Sequence, residues 1–312
     1  MTPVDFYTRQ RLNRWRSALL LVAFVAFFVA LGIGVDVIGF DFLQPGGAVV
    51  PIATTVAVAV ATATAASAHY RGAQLVLASL HARPLDPAIA EHRQLHNVVV
   101  EMALAAGLSQ PRVYLIPDTA PNALATGRDP AHAAVAVTQG LLNLCDRAET
   151  QGVVAHELAH VGNRDTRTMT LVAVLFGGAL MLSDWARRSL YFGTERPRSN
   201  LLVFVLILLT VAFTPLLSRV LAMAVSRERE YLADATAAQL TRNPLGLASA
   251  LDKIGYATSP LRAATRGTAH LFISSPWPRR RGGRRGSLAG LLETHPPLQQ
   301  RIAILRAMAG VG

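Results

Sequence analysis

The chain has 312 residues, 52% of them hydrophobic and 16% charged, with a formal net charge of +11. That balance is too apolar and too poor in charge for an ordinary soluble domain, so membrane embedding is the first expectation. A single cysteine, Cys145, excludes an internal disulfide and fits a reducing compartment, and with Lys253 as the only lysine the positive charge is almost all arginine.

The first apolar run is Ser17–Gly34 and the second Ala48–Ser67, neither with an ionisable residue. A bilayer core about 30 Å thick needs roughly 20 apolar residues at about 1.5 Å each, so residues 1–67 are expected to form a transmembrane hairpin (17–34, 48–67). Arg9, Arg11, Arg14 and Arg16 precede the first run, which lacks a small-x-small cleavage site and reads as a signal anchor with its N-terminus in the cytoplasm. Two crossings return the chain to the cytoplasm at His69, in agreement with Arg71, Arg83 and Arg93.

Residues 68–168 read as the first half of a folded domain. Ala73–Leu80 and Pro87–Ala106 have helical patterns, the latter with Leu95, Val98, Val99 and Met102 on one side and Gly107 as its stop. Arg112–Ile116 and Ala133–Thr138 read as strands, with Asn122–Gly127 between them. Asp146 and Glu149 form a capping-box pattern before a helix that runs to about Gly162–Asp165. Residues 169–217 carry a second hairpin (169–183, 201–217). Its loop places Arg187, Arg188, Arg196 and Arg198 against the positive-inside rule, so it is either shallow and re-entrant or an exception. In both cases 68–168 and 218–312 share one side. In 218–312, Ser226–Leu240 and Leu247–Tyr256 read as helices on either side of Asn243-Pro244. Pro276–Gly286 reads as a mobile loop, and a last helix follows Pro297.

His156-Glu-Leu-Ala-His160 places two imidazoles on one helical face at a separation that a single Zn²⁺ bridges, with Glu157 one residue round to take a proton from water. An accidental pattern on a surface helix is the plainer alternative. A catalytic zinc needs a third protein ligand, and Glu230 and Asp234, four apart, offer one carboxylate for the metal and one to support a histidine from behind; the plainer reading is a solvated charged face. His92 and His96 repeat the spacing without an acid, and His69, His81 and His132 lack any liganding context. Cys145 has no nucleophile setting and reads as structural.

Together with Ala120–Gly127, Ala136–Leu142, His156–Asp165, Ser226–Asp234, Ala269–Ile273 and Thr294–Ile302, these residues make the chain resemble the HtpX-type membrane metallopeptidases, relatives of the CAAX prenyl endopeptidases. The resemblance implies a gluzincin arrangement: His156, His160 and Glu230 on one zinc ion per chain, Glu157 as general base, and Asp234 holding a ligand histidine. It further implies that His295 lies near the metal to steady the oxyanion, a position where a helix-capping histidine is the alternative. It makes Asn122, Ala123, Leu124, Ala125, Thr126 and Gly127 an edge strand that pairs with substrate backbone, a surface turn being the alternative.

The expected fold is therefore α+β and mostly helical: a gluzincin-type metallopeptidase domain with a small sheet, plus transmembrane helices. The expected function is a membrane-embedded zinc-dependent endopeptidase in membrane-protein quality control. It would be multi-pass in the inner (plasma) membrane with its peptidase domain cytoplasmic, and act on polypeptides, membrane proteins among them. The alternatives are a processing peptidase for a specific membrane or lipidated precursor and a catalytically silent membrane scaffold. Arg279–Arg285 could contact anionic lipid. Nucleic acid is not an expected partner, because no aromatic residues interleave the basic clusters.

Overall fold

The structure is a computed structural model that describes residues 6–39, 50–175, 177–178, 227–277 and 296–310. Two long helices, α1 (Phe6–Gly39) and α2 (Ile52–Ser79), lie side by side. Both are long and apolar enough to cross a membrane, and only 11% and 17% of their apolar windows are buried. A soluble core helix would be mostly covered, whereas here Leu19, Val22, Val56 and Val60 are exposed. Asp36 of α1 ties the pair together by accepting from the backbone N–H of Ala53 and Thr54, two of the orphan donors at the start of α2.

The second apolar run and the expected Ala73–Leu80 helix are one continuous helix. No proline separates them, and Gly72 is used for close approach: a Cβ there would meet Thr170 Cγ2 at 2.8 Å.

A short β1 (Arg83–Pro84) and α3 (Ala90–Ala105) follow. Gly107 ends α3 at φ +64°, and the N–H of Leu108 returns to the Ala103 carbonyl. Then come β2 (Arg112–Ile116), β3 (Ala123–Thr126) and β4 (Ala134–Thr138), in a sheet of order β1-β2-β4-β3. β2 and β4 are parallel, with Val113 opposite Val135; β3 and β4 are antiparallel, with Leu124 opposite Ala136. Both faces are covered. Ala123, Ala125, Val135 and Val137 face one hydrophobic cluster, while Leu124, Ala134 and Ala136 face another shared with Val76, Leu77 and Leu80 of α2. Burial on both sides explains why β4 is an unbroken apolar run rather than an alternating one.

Sequence periodicity missed β1 and α4 (Gln139–Leu144), the one too short to carry a pattern and the other a single turn and a half capped by Thr138 Oγ1 on the Leu141 N–H. α5 (Arg147–Gly162) begins with the expected capping box, in which Asp146 Oδ1 accepts from Glu149 N and Glu149 Oε2 from Asp146 N, both at 2.9 Å. Residues 165–175 form α6. Beyond it lie α7 (Arg227–Thr241), α8 (Pro244–Tyr256) and α9 (Leu298–Met308). α8 starts three residues earlier than the pattern suggested because Asn243 Oδ1 caps the Gly246 N–H and Pro244 occupies the first turn without loss.

α5 is buried along almost its whole length, wrapped by α3, β3, α7 and α8. At Gly152 the backbones of α5 and α8 come so close that a Cβ would lie 2.7 Å from Leu247 N. The described residues of 68–168 and 227–310 are thus packed into one body. Most of the second hairpin (169–183, 201–217), His295 and Arg279–Arg285 lie outside the described residues.

Candidate active site

Packing against α3, β3, α7 and α8 holds α5 in the centre of the body, with most of its side chains buried. His156 and His160 sit one turn apart with ring centroids 4.9 Å apart and planes at 88°. α7 brings Glu230 to them: its Oε2 lies 3.9 Å from His156 Nε2 and its Oε1 3.6 Å from His160 Nε2. All three residues are buried, and their ligand atoms lie within 4.8 Å of one another.

The opposite ring nitrogens are committed. Asp234 Oδ1 is 3.0 Å from His156 Nδ1, and Asp165 Oδ2 is 3.2 Å from His160 Nδ1. Carboxylates only accept, so each imidazole donates through Nδ1 and turns Nε2 toward Glu230, with Arg301 Nη2 3.4 Å from His156 Nε2. Asp234 and Asp165 are themselves fixed. Arg301 of α9 grips Asp234 in a fork, Nε to Oδ2 at 2.8 Å and Nη2 to Oδ1 at 2.7 Å, and donates to the Ile273 carbonyl at 2.9 Å. Asp165 accepts from Asn13 Nδ2 at 2.8 Å and from Arg229 Nη1 at 3.2 Å. A turn in which Arg164 adopts φ +60° swings Asp165 back toward His160.

This donor set fits a divalent cation. In a tetrahedral zinc site with bonds near 2.1 Å the ligand atoms stand about 3.4 Å apart, and the 3.6 Å and 3.9 Å found here would close to that by a shift of about half an ångström or less. The charges agree too: Glu157, Asp165, Glu230 and Asp234 are buried against the guanidiniums of Arg229 and Arg301, an excess of negative charge when all are ionised. Burial alone would hold His160 neutral, yet Asp165, Glu230 and Glu157 outweigh it and push its pKa up to about 9. The site pulls positive charge inward, which is what a metal supplies. Burial lowers His156 to about 4, with Arg301 adding to the effect and Asp234 opposing it.

Glu157 follows His156 on α5, which packs against β3, and the nearby Ala125 backbone N–H favours its carboxylate form. Burial pushes its carboxyl up to about 7; Glu230 adds to the rise, and His160 opposes it. A carboxylate with that affinity can both take and release a proton near neutrality.

A family model, Peptidase family M48, matches residues 90–309. The chain belongs to peptidase family M48. Among similar proteins, the Protease HtpX homolog of Thermoanaerobacter pseudethanolicus is 44% identical over 248 residues, covering 77% of this chain and 80% of the relative. That of Pyrococcus abyssi is 39% identical over 287 residues (91% and 93%) and that of Dictyoglomus turgidum 35% over 311 (99% and 96%). The chain is an HtpX-like M48 metallopeptidase associated with the membrane, and its two apolar helices agree with that.

Five of the residues singled out in the sequence converge in this M48 site: His156, Glu157, His160, Glu230 and Asp234. Asn122–Gly127 contains β3, at the end of the sheet nearest Glu157. That edge is not bare: Ile273 N donates to Ala123 O at 3.0 Å, Leu124 bridges to Phe272, and Asn122 Nδ2 donates to Ser274 O at 3.0 Å. Asp165, Arg301, Arg229 and Asn13 were missed. Asp165, Arg229 and Arg301 stood inside three of the matching segments, but nothing in their spacing distinguished them from surface charges. Cys145 is buried, and burial, then Glu149, pushes its thiol up to about 12, which makes it inert as a nucleophile.

Proposed function

We propose that this M48 protein is a zinc-dependent endopeptidase held in the membrane by α1 and α2, acting from the cytoplasmic side on polypeptides that include membrane proteins, in the manner of a quality-control protease. The observation that carries the reading is the convergence of His156, His160 and Glu230, with Glu157 next to His156 on the helix that packs against β3. His156, His160 and Glu230 would hold the ion as the three protein ligands that a catalytic zinc requires. Zinc, when bound, polarises a peptide carbonyl and lowers the pKa of water toward about 7. Glu157 takes the proton from the attacking water at its carboxylate and delivers it to the departing amine. With the ion bound, Asp234 and Asp165 would hold each ring by its Nδ1–H and aim Nε2 at the centre.

Substrate backbone would enter along β3, where main-chain pairing gives affinity with little demand on side chains. Asn122, Ala123, Leu124, Ala125, Thr126 and Gly127 line that path in this reading, and His295 would steady the oxyanion. The arginines before the first apolar run and Arg71, Arg83 and Arg93 after the second support a cytoplasmic peptidase body in the inner membrane.

The test is metal analysis and proteolysis of purified wild type beside Glu157→Gln, with an unfolded soluble protein and a membrane protein as substrates. The proposal expects zinc in both and cleavage by the wild type alone. Mapped cut sites then separate broad degradation, with scattered cuts, from processing at one recurrent site.

A further inference from the structure

A second charged site lies away from the metal cluster. Where α2 emerges from its apolar stretch, a cavity of about 250 Å³ opens between α2, β2, the β3–β4 loop and α6, with Arg112, Arg128, Arg167, His69 and His132 in its wall. We propose that this cavity binds a phosphate group, carried by an anionic lipid headgroup or by a soluble phosphate compound.

The charge count comes first. Among the described residues, three guanidiniums share the wall with one nearby carboxylate, Asp129, which is already engaged: it accepts from His132 Nδ1 at 2.7 Å, from the His132 backbone N–H at 2.9 Å and from Arg128 Nε at 3.3 Å. Neither Arg112 nor Arg167 has a side-chain hydrogen bond or ion pair with any described residue. Arg167 is further crowded by the charges of Arg14 and Arg164. Buried polar atoms point the same way: Arg167 Nε and His69 Nδ1 are both sealed from solvent without a partner among the described residues. Such groups are uncommon in folded proteins, and an anion held by the outer nitrogens of these side chains would offset the cost.

Position argues for a lipid source. From Ile52 to His69 is seventeen helical steps, about 25 Å, close to the thickness of a bilayer core. The cavity therefore opens at headgroup level. Tyr70 beside it and Trp15 on α1 are strongly exposed, as interfacial aromatic residues are, and Arg128 lies 5.7 Å over the Tyr70 ring. Guanidinium forks match phosphate oxygens, whether of a lipid or of a free compound.

The experiment uses the full chain in neutral detergent, titrated with phosphatidylglycerol, phosphatidylcholine or inorganic phosphate while the unfolding midpoint is followed, with the variant Arg112→Gln/Arg167→Gln alongside. Wild type is expected to be stabilised by phosphatidylglycerol and not by phosphatidylcholine. The double variant should bind about thirtyfold more weakly, each basic residue near an anionic surface being worth roughly a factor of five, while peptidase activity persists. Stabilisation by inorganic phosphate without any from phosphatidylglycerol would assign a soluble phosphate to the same site. Equal responses of wild type and double variant, or no response of wild type to either phosphate source, overturn the proposal. Should the double variant not fold, Arg112→Ala, at an exposed position, is expected to show about a fivefold loss, and an unchanged affinity there overturns it equally.

Discussion

Asn13, in the long apolar helix α1, donates through Nδ2 to Asp165 Oδ1 at 2.8 Å, and Asp165 holds His160 through its other oxygen. Asn13 also donates to the Asn163 carbonyl at 3.1 Å, and Ser17 Oγ lies 3.0 Å from Thr168 Oγ1. Helix α1 thus reaches His160, one of the three residues able to hold a metal, in two hydrogen bonds. Asn13→Ala is expected to leave the fold intact and weaken metal affinity about 10- to 100-fold, measured by competition with a chelator. Unchanged affinity in a folded variant would mean that the anchor does not position the ligand.

Glu157→Gln keeps the shape of the side chain and removes its basicity. Peptide cleavage is expected to fall by about 10²- to 10⁴-fold with metal content unchanged. A variant that still cleaves at half the wild-type rate would rule Glu157 out as the base.

Arg301 is completely buried and is the counter-charge of Asp234. Arg301→Met leaves two carboxylates, Asp234 and Glu230, without it. A loss of about 3–5 kcal/mol in denaturant unfolding is expected, because a buried pair broken on one side strands the other charge. A loss below about 1 kcal/mol would mean that Asp234 finds water or another partner instead.

Acid should unfold the protein through the same pair. Burial would raise the Asp234 carboxyl, but Arg301 and His156 outweigh it and hold it at about 2. A folded pKa below the unfolded value near about 3.9 contributes stability in full above that value and loses it as pH falls toward 2. About 2–3 kcal/mol is at stake, read as the urea midpoint between pH 5 and pH 2. Asp234→Asn should show a shallower decline over that window; an equally steep one would place the acid sensitivity elsewhere.

Gly152→Ala places a methyl group 2.7–2.8 Å from the Leu247 backbone, where no side-chain rotation can relieve it. About 1–3 kcal/mol of destabilisation is expected in the same unfolding assay. An Ala variant as stable as wild type would show that α5 and α8 can separate without loss.

The apolar runs, the α5 capping box, Gly107 as a stop and the His156–His160 pair were readable because each rests on residues within one or two turns of one another. Helix spacing brings two imidazoles to one face wherever the helix goes. Glu230 and Asp234 were readable as candidates for the same local reason. β3 entered only by resemblance, since Ala123–Thr126 is four buried residues with no alternation to reveal a strand. Arg301 and Asp165 gave no signal as partners, because a charge facing solvent and a charge buried against a carboxylate have the same letters around them.

By itself, then, the sequence determined the local chemistry: two membrane-length helices, a capped helix bearing two imidazoles and a base, and a second helix bearing carboxylates. Residue spacing left open which carboxylate faces Nε2 and which Nδ1, a choice that only the resemblance implied; the tertiary structure alone decided how Arg301 and Asn13 reach them and that the β3 edge is partly covered by residues 272–274. Those choices depend on how α1, α5, α7 and α9 pack around one point. Packing is settled by contacts between residues far apart in the chain, and no periodicity along it encodes them.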